Sequence, residues 1–582
     1  MNFDTAYVEA VGSVDAMSGL QYMGLPVPHD EFGAILRYKT DHDEAGRATS
    51  CGPRTSKLMV KVLFEEASRL GVRIKGSVSG IAIVKAKAEN GESKVCGLLA
   101  IDRNEKRNAY GLIYIACQTL VLATGGPGEL YRDSVYPHHC YGALGLALEA
   151  GIDLCNLTES QFGIGTPRRT FPWNLGGSYL QVMPRVYSLD SDGVERNFLK
   201  DYYRTTQEIV SNTFRKGYQW PFHASRTLDY QSSLFDLAVY REQKMGRQIF
   251  FDYLRNPDAG LDGREFSLAE LDDDVAAYLT NNEIEGATPI ERLRKMNPLS
   301  IELFRMHGTD LATEPLEFTM NNQHMNGGVL IDDWGRSSLN GCYAVGEAAG
   351  SHGVTRPGGA ALSSGQVFGK RVAIDIQRAL AGSTENHSSP EEAVNDAVGQ
   401  CLRDADSFLE SDKGRKPAAI KAEIQSRMSD VAGIITVPSD VESGLVEAKH
   451  LLNEVKEEGI KISTPSLVGQ AFRWRQMALA SVAVLTALNH YLSSGGGSRG
   501  ARAVVSEDGQ LVPDAANIDL SEYTFRKEIE SMRDEKLVVR SDEEGVKVKI
   551  TSVDRDPEID RQFFEKGWGA FLRKSVLPKS RA

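Results

Sequence analysis

The sequence predicts an α/β fold, on three observations. The first 155 residues alternate helix-periodic and strand-like stretches. A short apolar run, Gln118-Thr119-Leu120-Val121-Leu122-Ala123, ends in Thr124-Gly125-Gly126 and reads as a buried strand stopping at a tight loop. The stretch from Val345 to Leu362 passes from an apolar strand through a glycine-rich turn into a helix that begins near Ala360. At 582 residues the chain has room for several domains with their own cores.

The elements follow in order. Residues 56–70 carry apolar side chains at helical spacing, and Gly71-Val72-Arg73-Ile74 reads as a turn into a strand. Residues 80–87 and 95–102 read as a hairpin around Asn90-Gly91. Residues 110–115 and 119–123 then complete that sheet layer, closing a first α/β region over residues 1–155. Residues 156–325 are richer in aromatics and irregular turns, and within them residues 240–252 lead from a helix to a strand ending in Asp252. Residues 326–385 return to the first domain. Residues 386–495 are mainly helical, with Pro390-Glu391-Glu392 at a helix start. Within them, residues 477–492 form an Ala-rich stretch that contains Asn489 and His490 and is too short to cross a bilayer, so it reads as a buried helix. Gly495-Gly496-Gly497 reads as a flexible joint, and residues 496–582 as a mixed C-terminal region. There is no internal repeat.

Composition narrows the functional classes. Hydrophobic residues make up 41% and charged residues 25%, ordinary for a globular protein. A net charge of −13 argues against nucleic acid as the main partner. The seven cysteines lack zinc, haem or iron–sulfur spacing, so they read as reduced thiols with no metal site. The opening MNFDTAYVEA has neither the basic nor the apolar part of a signal peptide. The expectation is a cytoplasmic protein with no membrane span.

The Val345–Leu362 stretch carries the chemistry. Its glycines let backbone N–H groups approach a ligand closely, and the helix that follows turns its positive end toward it. Glu347 suits the hydroxyls of a polyol, while His352 and Arg356 suit a carboxylate, the arginine in bidentate fashion. Together they fit a large anionic cofactor beside an anionic substrate. His324, before Met325-Asn326-Gly327-Gly328, is a second candidate ligand. Each also has a structural reading: a loop-bracing histidine for His352, a capped turn for His324, a surface ion pair for Arg356.

Four blocks, in order, resemble the flavoprotein family of succinate dehydrogenase and fumarate reductase. The first is Thr124-Gly125-Gly126, followed by Pro127-Gly128-Glu129-Leu130-Tyr131. The second is Asn322-Gln323-His324-Met325-Asn326-Gly327-Gly328, similar to the family's H-x-x-GG substrate segment. The third is Val345–Leu362, similar to GE…HG-x-x-R-x-GG-x-x-L. The fourth is Ser498-Arg499-Gly500-Ala501-Arg502, close to SRGAH. The resemblance implies a Rossmann-like FAD-binding domain with an inserted α+β capping domain, followed by a helical domain and a C-terminal tail. It further implies FAD contacts at Thr124, Gly125, Gly126, Gly346, Glu347, Gly359, Ala361 and Leu362, and catalytic roles for His324, His352 and Arg356. Hydride would pass between flavin and a carboxylate-bearing substrate, with electrons from a separate protein or reduced flavin. Aspartate-oxidase-like and adenylylsulfate-reductase-like chemistries, or a non-catalytic scaffold remnant, are the alternatives.

The sequence departs from the family in several places. The opening GxGxxG that binds the flavin pyrophosphate is missing, and Gly19–Val27 resembles L-x-x-MGLPF, a point well inside the family domain. The Rossmann-like domain is therefore expected to be incomplete at the N-terminus, and FAD binding to be weak and non-covalent. The family's QFHPTG appears as Gln161-Phe162-Gly163-Ile164-Gly165-Thr166, without its histidine. The TEG loop has no counterpart near Ser178–Pro184. The cap arginine that precedes an aspartate is Phe235, before Asp236; Arg241 is the candidate substitute as proton carrier, with a helix-surface reading beside it and Tyr240 as a weaker alternative donor. Two carboxylate contacts are thus lost, and the expected substrate is a monocarboxylate enoate whose tail meets Phe162, Phe171 and Trp173.

Overall fold

The apolar run before Thr124-Gly125-Gly126 forms a strand, Leu120–Leu122, paired in parallel with Cys342–Ala344. Parallel pairing requires a long crossover, and here the chain builds an entire second layer before it returns. The computed structural model describes residues 2–40, 43–87, 91–382, 390–553 and 568–573. Asn90 of the expected hairpin turn lies outside them. Around that turn, Val78–Lys87 and Ser93–Asp102 pair antiparallel, and Leu112–Ala116 adds a third strand. The sequence placed residues 119–123 in this same layer, and the structure corrects that. The meander pairing ends at Gly97 opposite Ala116, and Leu120 N–H donates to Gly341 O at 2.9 Å, so the next strand joins Cys342–Ala344 instead.

The second layer is an antiparallel five-stranded sheet. Its order is Glu195–Arg196, Arg185–Leu189, Gln248–Asp252, Leu316–Met325 and Ser160–Gly165. The helix Ser232–Lys244 packs on it through Leu234, Phe235, Leu237, Ala238 and Val239, all fully buried. A further sheet places Leu154–Cys155 between Gly328–Val329 and the C-terminal hairpin of Glu535–Asp542 and Gly545–Ser552.

The helices Glu391–Glu410, Pro417–Val431 and Pro438–Glu458 surround Val468–Ser493, which is buried along most of its length. Among the described residues no helix is long and apolar enough to cross a membrane. The expected joint at Gly495–Gly497 is a packed corner rather than a flexible one. Gly495 turns the chain at φ +88°, a Cβ on Gly496 would meet the Tyr491 ring at 2.5 Å, and one on Gly497 would strike the Lys527 carbonyl.

Candidate active site

Leu316–Met325 pairs with Ser160–Gly165, and the register slips between Asn322 and His324. Such an irregularity re-aims side chains, and it sets His324 opposite Gln161. His324 Nδ1 meets Asn326 Oδ1 at 3.0 Å. The Asn326 amide is oriented by its Nδ2, which donates to the carbonyls of Gly353 and Val354 at 3.1 Å each. Its oxygen therefore faces the imidazole, and His324 Nδ1 carries the proton. The same asparagine ties His324 to the loop that bears His352 and Arg356. The two imidazoles lie 4.8 Å apart, centroid to centroid. Arg356, only 2% exposed, donates from Nη1 to Pro357 O and Gly358 O at 2.8 and 2.9 Å and from Nη2 to Gln161 Oε1. His324, from the strand Leu316–Met325, and His352 and Arg356, from one loop, thus form one buried cluster.

Glu347 adjoins it. Its Oε1 accepts from Met325 N–H at 2.8 Å and from the Tyr136 hydroxyl, and lies 3.8 Å from His324 Nε2. Position 126 must be glycine, because a Cβ there would collide with the Glu347 carboxylate and meet the Tyr136 hydroxyl at 2.8 Å. Gly125, at φ +69°, and Gly359 have open space where a side chain would stand. Gly346 approaches Gly365, where a Cβ would lie 3.6 Å from the Gly365 Cα, so the helix Ala360–Gly382 packs directly on the loop. Ala361 and Leu362 lie in its first turn, Leu362 partly exposed, and Thr124 is exposed at the strand end. Approachable backbone, a helix start, a buried carboxylate and the unpartnered Ser364 hydroxyl are the donor and acceptor set that a flavin with its ribityl chain requires. The residues present fit that group.

Burial sets the protonation states. It drives the His324 pKa well below the usual imidazole value, with the charges of Arg356 and His352 adding to it. His352 falls to about 3, by burial and then Arg356. Burial lifts Glu347 to about 7 against the pull of its hydrogen bonds, and holds the Tyr136 hydroxyl well above its ordinary value. The His324 Nε2, both ring nitrogens of His352 and the Ser351 hydroxyl are buried without hydrogen-bond partners. Each such group costs about 1–3 kcal/mol in an empty interior, so their clustering marks a place built for a ligand.

Arg241 lies elsewhere. It donates to the Tyr202 hydroxyl at 3.2 Å, pairs with Glu522 at 3.0 Å and stands 5.5 Å from the centroid of the Tyr523 ring. None of these residues bonds to His324, His352 or Arg356, so the arginine ties the cap to the C-terminal region. Phe235 is fully buried and stacks on Phe318 at 6.4 Å. Sequence reasoning missed Asn326 as the link between the two segments, and Glu9. Glu9 lies on the helix Phe3–Tyr22; burial raises its pKa to about 7, and the charge of Arg356 acts against that rise. The three-residue interval from His324 to Gly327 was the available signal for Asn326; nothing local marked Glu9.

Comparison with known proteins agrees with this geometry. The family described as FAD binding domain matches residues 5–362, more than half of the chain. One chain of the CoM/CoB fumarate reductase of Methanothermobacter marburgensis is 25% identical over 449 residues, covering 76% of this chain and 69% of that protein. The succinate dehydrogenase flavoprotein of Coxiella burnetii is 21% identical over 75% of this chain and 67% of its own length. Across such curated relatives the chain spans 52% to 69% of their length. The E. coli quinol fumarate reductase flavoprotein superposes with a TM-score of 0.65 over 96% of this chain and 84% of that one, at 17% identity, so the two share a fold. The chain belongs to the FAD-binding-domain family, as an FAD-dependent oxidoreductase of the succinate dehydrogenase and fumarate reductase flavoprotein type.

Proposed function

We propose that the protein exchanges hydride between FAD and an enoate monocarboxylate, with Arg356 holding the carboxylate beside His324. The observation that carries this reading is the buried Arg356–His324–His352 cluster, in which His324 Nε2 and both ring nitrogens of His352 lack partners. FAD, when bound through the Gly125–Gly126, Glu347 and Gly359–Leu362 elements, supplies the hydride chemistry. Arg356 supplies positive charge where the substrate carboxylate gathers enolate-like density. Neutral His324 carries its proton on Nδ1, so its Nε2 is an acceptor. Burial is the main cause that keeps the imidazole neutral, with the charge of Arg356 second, so Nε2 stays an acceptor and takes a hydrogen bond from a donor on the substrate. His352 lines the same volume and helps to exclude water.

A monocarboxylate is favoured over a dicarboxylate because position 163 carries no histidine and Ser178–Pro184 does not match the TEG loop of the resembling family. Desolvating a second carboxylate without those contacts costs several kcal/mol. Electrons come from a separate protein or reduced flavin, since the cysteines have no iron–sulfur or haem-attachment spacing. The test uses reduced methyl viologen and the flavin-loaded protein. Crotonate and related monocarboxylates should be reduced faster than fumarate; a clear win for fumarate overturns the substrate reading.

A further inference from the structure

Ser160–Gly165 has two faces. Phe162 and Ile164 enter the core, so positions 161, 163 and 165 face the other way. On that second face Gln161 holds Arg356. The next two positions are glycines, and other side chains fill their places. A Cβ on Gly163 would lie 2.9 Å from the carboxamide of Gln323, and one on Gly165 would strike the carboxamide of Asn321. Three carboxamides therefore lie along the strand from Arg356, at steps of about 7 Å for each pair of residues.

The orientation of the outer two is fixed. Gln323 donates from Nε2 to Ile164 O at 3.1 Å, and Asn321 from Nδ2 to Thr166 O at 2.9 Å. Rotating either amide would turn oxygen against a carbonyl. The groups left over are the two carboxamide oxygens, both buried without a partner, on residues 8% and 0% exposed.

We infer that Gln323 and Asn321 form an acceptor-only subsite beyond Arg356, selecting substrates whose far end carries a hydrogen-bond donor, a carboxamide or hydroxyl. This rests on the carboxylate reading of Arg356 and replaces the apolar tail expected from the sequence. Phe171 is stacked on Trp173 and His307, and Phe162 packs edge-on to Tyr131, so those rings have partners of their own. A second carboxylate would bring its lone pairs against two carbonyl-type oxygens with no proton between them. A carboxamide N–H about one strand step from Arg356 satisfies Gln323 directly.

Calorimetric titration of the flavin-loaded protein, without an electron acceptor, tests this with three acids of one chain length: succinamate, butyrate and succinate. Succinamate should bind at least roughly tenfold more tightly than butyrate, as one buried hydrogen bond implies, and succinate no better than butyrate. Gln323→Met, linear and close in volume, should bring succinamate to the level of butyrate. Equal binding of succinamate and butyrate by the wild-type protein means that the two oxygens are merely hydrated, and it overturns the inference while leaving the carboxylate reading standing. Tightest binding of succinate overturns it as well. If none of the three acids binds, the carboxylate reading and the subsite fail together. The wild-type ranking decides by itself, so a variant that fails to fold does not protect the inference.

Discussion

Replacing Arg356 by alanine removes the cation of the buried cluster and three donated hydrogen bonds, to Gln161, Pro357 and Gly358. Loss of one preorganised donor aimed at developing charge costs 10²–10³-fold in rate, about 2.7–4 kcal/mol, and kcat/KM should fall by roughly that factor or more. The acceptors left behind cost about 1–3 kcal/mol each, less wherever water enters, so the midpoint of thermal unfolding should fall too. Assays therefore belong well below that midpoint, with flavin absorbance per protein measured alongside. Arg356→Lys keeps the charge, but one ammonium cannot reproduce the planar fork across Gln161 and two carbonyls, so it should lie between alanine and wild type. The arginine also depresses His324 and His352. In the alanine variant the His352 ring should titrate above its value of about 3, visible by NMR. Near-normal kcat/KM at unchanged flavin content would remove Arg356 from the site.

Stability should depend on pH through the same cluster. The His352 pKa is depressed, so its contribution is complete above the unfolded value near 6.5 and is lost as pH falls; at pH 5 the loss is about 2 kcal/mol. Urea melts should show a shallower decline from pH 7 to 5 for His352→Asn, and parallel declines would refute the assignment. Glu347, raised to about 7, works in the opposite sense: its contribution is complete below about 4.5 and is lost as pH rises through 7, so Glu347→Gln should gain stability more steeply between pH 5 and 7. Arg241→Ala should lower the unfolding free energy by about 1 kcal/mol or less, because Glu522 is largely exposed, and leave kcat within a few-fold. A large fall in kcat at constant KM would restore the proton-carrier role.

What was legible in the sequence was local. Val345–Leu362 announces itself because the glycines, the carboxylate, the arginine and the helix start lie within eighteen residues and act together in the fold. The apolar run before Thr124 was readable as a strand, but its partner was not, since parallel pairing with Cys342–Ala344 is a long-range choice. Arg241 shows the limit of reading a helix face: spacing placed it on Ser232–Lys244, and only the packing of Glu522 and Tyr523 decided which surface it meets. Gly163 was noticed as the loss of a histidine. The amide that fills its place comes from a neighbouring strand whose register slips by one residue, and no local pattern encodes that slip.

The electrostatics of the cluster give these departures a common sense. Burial leaves both imidazoles neutral and lifts Glu347 and Glu9 to about 7, so Arg356 carries the positive charge of a region whose two carboxyls both stand at the edge of protonation. A single carboxylate completes that balance. A second would have to find another cation, and beyond Gln161 the strand offers the carboxamides of Gln323 and Asn321 instead. On the proposed reading Arg356 would hold one carboxylate, while Gln323 and Asn321 leave the far end without a cation. Replacing charged contacts by amides weakens binding of dicarboxylates, whose second charge loses its counter-ion, and it costs a ligand with a neutral donor at that end nothing. Selectivity then follows from what the distal groups refuse as much as from what Arg356 attracts.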